Sequence, residues 1–90
     1  MSAVHREVRI DNLRGLHARA SAKFVNLASE IGSEIWVEKD GNRVTGTSIM
    51  GLMMLGAAMG DEIEISASGD GAEEAVAQLA GLVENKFGED

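Results

Sequence analysis

Gly15-Leu16-His17-Ala18-Arg19 places an imidazole and a guanidinium two residues apart, close enough to act on one small ligand. Histidine changes charge near neutral pH, and its neutral ring offers a nitrogen lone pair as a nucleophile. Arginine supplies a planar fork of donors that matches phosphate oxygens. The pair therefore suits chemistry on an anion, above all binding a phosphoryl group or carrying one covalently.

The surrounding sequence strengthens this reading. Asp11-Asn12-Leu13-Arg14-Gly15 is turn-like, whereas Ala18 to Ser29 is rich in alanine and carries apolar residues at helical spacing. His17 then falls at a helix N-cap, where its imidazole is expected to stand open and facing solvent. The first backbone N–H groups of a helix lack intrahelical partners, and the positive end of the macrodipole attracts anions. Ser48 is a second candidate, because Thr47 or Ser48 can cap a short helix running to about Leu55. A phosphate on Ser48 would lie at that helix N-terminus, where it is favoured electrostatically.

The elements that position these residues can be read along the chain. Val4, Val8 and Ile10 share one parity and predict a strand. Ala18, Ala22, Val25 and Ala28, widened by Phe24 and Leu27, predict a helix with Gly32 as its C-terminal cap. Glu34-Ile35-Trp36-Val37-Glu38 alternates, with Trp36 on the charged side as a cross-strand packing residue. Asp40-Gly41 signals a hairpin into a short strand around Arg43 to Thr45. Ile63, Ile65 and Ala67 face inward from a further strand. Asp70 and Glu73 have capping-box spacing ahead of a helix striped with Ala72, Ala75, Val76, Leu79, Leu82 and Val83. Strands with one apolar and one charged face belong to an antiparallel sheet with helices on one side, an open-faced α/β (α+β) sandwich.

Composition narrows the function. The 90 residues carry no linker-like stretch, so residues 1–90 are expected to form one domain. The net charge of −7 argues against nucleic acid as the main partner. Five bases (Arg6, Arg9, Arg14, Arg19, Lys23) face two acids within residues 1–23, while nine acids face Lys86 alone within residues 61–90. The anion site therefore lies in the basic third, and the acidic remainder reads as a solvated face. The absence of cysteine suits a reducing cytoplasm. No secretory signal is expected. Gly51 and Gly56 break the longest apolar block, Ile49 to Met59, so no membrane insertion is expected either. His5 and His17 lack acidic or thiolate companions at ligand spacing, and neither a metal nor a cofactor is expected.

The stretch Gly15-Leu16-His17-Ala18-Arg19-Ala20-Ser21-Ala22-Lys23-Phe24-Val25 closely resembles the active-site segment of HPr, the histidine-containing phosphocarrier of the bacterial phosphotransferase system. Thr47-Ser48-Ile49-Met50-Gly51-Leu52-Met53-Met54-Leu55-Gly56 resembles the family's regulatory-serine helix, at a matching distance downstream. The resemblance implies a β-α-β-β-α-β-α order, with a four-stranded antiparallel sheet and three helices on one face. It implies that enzyme I, charged by phosphoenolpyruvate, passes a phosphoryl group to Nδ1 of His17, which hands it to an enzyme IIA domain. It also implies that Arg19 assists, and that an HPr kinase, where present, modifies Ser48. The carrier is expected to be a monomer and not an ordinary enzyme, since it is itself the transiently modified substrate.

Ile49, Met50 and Met53 are expected to dock partners beside His17, because methionine adapts to several surfaces in turn. Arg14, Arg19 and Lys23 are expected to form a basic rim for acidic partners. Ala20 departs from the family, many of whose members have proline there; alanine restores a backbone donor in the first helical turn. The sugar-uptake and nitrogen-regulatory branches both fit. Ser48 together with Ala20 resembles carriers from bacteria that often lack a complete set of sugar transporters.

Two rivals stay open. An interaction module would bind regulators and never accept phosphate. A small hydrolase would use His17 as a base, and it ranks last because no carboxylate stands near His17 in sequence.

Overall fold

Each strand follows from the alternation of its residues, and together they form one sheet. The computed structural model describes residues 3–89, with strands β1 (Val4–Arg9), β2 (Glu34–Lys39), β3 (Asn42–Thr45) and β4 (Glu62–Ser68). The helices are α1 (Ala18–Ile31), α2 (Ile49–Met54) and α3 (Ala72–Glu84), and a 3-10 turn covers Lys86–Gly88. The sheet is antiparallel throughout, in the order β1-β4-β2-β3. This is the open-faced α+β architecture expected from the sequence.

Register explains which side is covered. Val8 pairs with Ile63, and Val37 pairs with both Val44 and Ile65, so one sheet face is apolar and lies under the helices. Ile10, Phe24, Val37, Leu52, Ile63, Ile65, Leu79 and Val83 are fully buried in the resulting core. Arg6 shares the inward parity at the sheet edge, and its guanidinium reaches out to Glu84 of α3 at 3.2 Å. On the opposite face Trp36 lies beneath the Arg43 guanidinium, 4.5 Å from the ring centroid, a cation–π contact that fits its expected cross-strand role.

The helix boundaries follow local chemistry. Gly32 closes α1 in a left-handed conformation, its N–H donating to the Ala28 carbonyl. The Asp40-Gly41 turn has positive φ at both positions, as a tight hairpin between twisted strands requires. One expectation is corrected: Asp70 does not cap α3. Gly69 and Gly71 are both left-handed, so the chain enters at Gly71, which has no side-chain cap. Glu73 and Glu74 nevertheless fall in the first turn, where the macrodipole favours them.

Candidate functional site

The loop ahead of α1 is built around Gly15. Its φ of +65° is left-handed, and a Cβ there would stand 2.3 Å from the Ala57 carbonyl oxygen. That close approach lets the next residue, Leu16, donate its N–H to the same oxygen at 3.0 Å. Asn12 is buried beside it and donates through Nδ2 to the Gly15 carbonyl at 2.8 Å. Ser21, buried one turn into α1, donates its hydroxyl to the Leu16 carbonyl at 3.2 Å. The residues on either side of His17 are thus tied to the body of the protein.

His17 is the N-cap of α1, as the sequence predicted. Its carbonyl accepts the first intrahelical bond, from the Ser21 N–H at 2.9 Å. The N–H groups of Ala18, Arg19 and Ala20 precede that bond, so none has a helical carbonyl to reach. The Arg19 N–H donates to Nδ1 of the His17 ring at 3.3 Å. Nδ1 is therefore the unprotonated nitrogen, aimed at the mouth of the helix. Arg19 is exposed, and its guanidinium makes no hydrogen bond or ion pair among the described residues. It remains available for a ligand.

One expectation about this ring is corrected. The sequence suggested an open, solvent-facing imidazole, but the His17 side chain keeps only 17% of its exposure. The cover comes from Glu89, whose Oε2 lies 2.5 Å from Nε2. With Nδ1 accepting a hydrogen bond from a backbone N–H, Nε2 carries the ring proton and donates a hydrogen bond to the carboxylate. The other carboxylate oxygen of Glu89 accepts from Asn12 Nδ2 at 3.0 Å. Asn12 and His17 together hold the Glu89 carboxyl below the usual carboxylate range, the Asn12 bond contributing most.

Sequence reading missed both supporting residues. Asn12 looked like an ordinary turn residue, and Glu89 like one more acid on a solvated face. No carboxylate stands near His17 in sequence, and the one that meets its ring comes from 72 residues away. A local signal existed only for Asn12, which stands five residues before His17 in a turn that must be internally bonded.

Ser48 caps α2, accepting from the Gly51 N–H at 2.9 Å. A Cβ on Gly51 would come within 3.0 Å of the Ser48 oxygen, so glycine keeps that cap uncrowded. Ile49, Met50 and Met53 are all exposed, and none of them is a core residue. Leu13, Met54 and Met59 are exposed as well, and the sequence reading did not single them out. Lys23 directs its ammonium to the Phe87 carbonyl at 2.7 Å, so it serves first as an internal tie. His5 lies on β1, bonded through Nδ1 to the Ser66 hydroxyl, and the described residues contain no cluster fit for a metal ion.

A histidine N-cap with an unprotonated Nδ1, an arginine beside it and a serine capping the second helix match a known pattern. The family model described as PTS HPr component phosphorylation site covers residues 4–85. The chain belongs to the HPr family. It is 51% identical to the phosphocarrier protein HPr of Neisseria meningitidis over 82 residues, covering 91% of this chain and 92% of that one. It is 38% identical to the phosphocarrier protein NPr of Shewanella violacea, covering 99% and 98%. The crystal structure of HPr from Thermoanaerobacter tengcongensis superposes with a TM-score of 0.89 at 49% identity, covering 100% of this chain and 99% of that one. HPr proteins are phosphocarriers and not catalysts in the usual sense. Among the described residues no helix is long and apolar enough to cross a membrane.

Proposed function

We propose that this chain accepts a phosphoryl group from phospho-enzyme I on Nδ1 of His17 and passes it to an enzyme IIA domain. The observation that carries the reading is the unprotonated Nδ1 at the start of α1, which accepts from the Arg19 N–H at 3.3 Å. The Nδ1 lone pair attacks phosphorus, the donor's bond to phosphorus breaks, and that electron pair leaves with the donor. The Arg19 N–H, released from Nδ1, then turns to a phosphoryl oxygen. The neighbouring N–H groups and the Arg19 guanidinium supply further donors, charge-assisted in the case of arginine. Such a site holds the group by a few surface contacts, which suits a carrier that must give it up again.

Ile49, Met50 and Met53 form the apolar part of the docking surface, and Arg14 and Arg19 the basic rim, with Lys23 behind it. Ser48 serves as a regulatory acceptor. A phosphate there would add charge to the α2 N-terminus beside the docking methionines and weaken exchange with enzyme I. The protein works in the cytoplasm as a monomer between successive partners.

Incubation with enzyme I and phosphoenolpyruvate tests the reading. The expected product carries one acid-labile, base-stable phosphoryl group that is absent in His17→Ala. An unmodified wild-type protein that still binds enzyme I would favour the interaction-module alternative and overturn the carrier reading.

A further inference from the structure

The segment after α3 is shaped at some cost to deliver one carboxylate to the site. Lys86, Phe87 and Gly88 all have positive φ, of 58°, 55° and 74°. Left-handed backbone is unfavourable for the two non-glycine residues, by about 1 kcal/mol or more each. Burial of the Phe87 ring in the core and the Lys23 bond to its carbonyl hold the turn in place. The following residue, Glu89, is thereby placed between Asn12 and His17, with one carboxylate oxygen on each. Both contacts of Asn12 go to acceptors, the Gly15 carbonyl and the Glu89 carboxylate, so its nitrogen must face them.

We propose that Glu89 is a positioning residue for phosphoryl transfer: it holds the proton on Nε2 of His17 and neutralises the ring charge that forms when phosphorus binds Nδ1. The inference rests on the assignment of His17 as the phosphoryl acceptor. Charge balances in either direction of transfer. When the Nδ1 lone pair forms the N–P bond, Nε2 keeps its proton and the ring becomes cationic. The Glu89 carboxylate then faces that cation across the existing hydrogen bond, with the ring separating it from the phosphoryl oxygens. When an acceptor's lone pair attacks phosphorus, the N–P electron pair returns to Nδ1 and the ring is neutral again. No proton has to move in either step.

This arrangement keeps the phosphorylated ring protonated, and therefore a good leaving group, at higher pH than an unassisted phosphohistidine. Among the described residues, Lys23 on α1 also acts on the Glu89 carboxylate, and Arg14 and Arg19 flank His17 in sequence. The α2 segment Ile49–Met54 contributes no titratable side chain. Glu89 is the only acid paired with the ring among the described residues.

The test compares wild type, Glu89→Gln and Glu89→Ala, each phosphorylated with enzyme I and phosphoenolpyruvate and then freed of both. The loss of the phosphoryl group to water is followed as a function of pH, with circular dichroism confirming that each variant is folded. Wild type should hydrolyse quickly up to a higher pH than either variant. The midpoint of the profile should fall by about one to two pH units in the variants, which corresponds to about tenfold slower hydrolysis per unit above the midpoint. Glutamine fills the same space without the charge, so a merely structural role would leave its profile unchanged. Superimposed profiles overturn the role of Glu89 while leaving His17 as the acceptor. Failure of wild type to be phosphorylated on His17 overturns both.

Discussion

The backbone of Gly15 passes so close to Ala57 that no side chain fits between them: a Cβ would stand 2.3 Å from the Ala57 oxygen. Gly15 also holds a left-handed φ of +65°. The two constraints act together on the residue that leads into His17. Gly15→Ala should therefore lower stability by about 2 kcal/mol or more, since it meets both strain and a backbone clash. Urea unfolding checks this, and phosphoryl acceptance should drop in the same variant because the Leu16 bond to Ala57 is displaced. An unchanged midpoint would contradict the geometry.

Arg19→Ala should slow transfer while leaving stability within about 0.5 kcal/mol of wild type, because the side chain is exposed and has no partner among the described residues. Single-turnover transfer from enzyme I measures the first effect and thermal unfolding the second. Equal transfer rates would remove the proposed part of the guanidinium and leave only its backbone N–H in play.

Ser48 separates its two roles by substitution. Ser48→Ala removes the oxygen that accepts from Gly51 and should cost about 1 kcal/mol of stability. Ser48→Asp keeps a capping acceptor and adds negative charge, so it should retain stability yet exchange more slowly with enzyme I. If Ser48→Asp exchanged as fast as wild type, the regulatory reading would lose its physical basis.

Acid should act on the Glu89 contact in a defined direction. The folded carboxyl is held below its ordinary value by Asn12 and His17, so the unfolded chain takes up that proton more readily. The contact contributes fully above the ordinary carboxylate pKa of about 4.3, and its contribution is lost as pH falls through the lower folded value. The stability difference between wild type and Glu89→Gln, measured by urea unfolding at successive pH values, should be largest near neutrality and shrink below about pH 4. A difference that stays constant across that range would contradict the contact.

Exposed apolar residues around α2 give the docking surface a direct test. Met50 is 69% exposed and Met53 is 40% exposed, so Met50→Ser and Met53→Ser should barely change stability. Each should weaken binding of enzyme I, measured by titration calorimetry. Unaltered affinity in the double variant would move the docking surface elsewhere.

The parts of this structure that were legible in the sequence are those written in local patterns. The alternation of Ile35 and Val37, the alanine-rich stripe from Ala18, the Gly32 cap and the Asp40-Gly41 turn each fix an element over a few residues. The position of His17 at the start of α1 was legible for the same reason. The strand order β1-β4-β2-β3 was not, because pairing β1 with β4 depends on contacts about 60 residues apart. Glu89 escaped for the same cause: its meaning depends on a buried Phe87 and a left-handed turn that no local pattern announces. Gly69 and Gly71 misled in the opposite sense, since their backbone freedom set aside an otherwise reasonable capping box at Asp70 and Glu73.

Nuclear magnetic resonance of the 15N-histidine-labelled protein, phosphorylated by enzyme I and phosphoenolpyruvate, tests the central claim most directly. The account predicts phosphorus coupled to Nδ1 of His17, with Nε2 still carrying its proton. Phosphorus on Nε2, or on any residue other than His17, would contradict it.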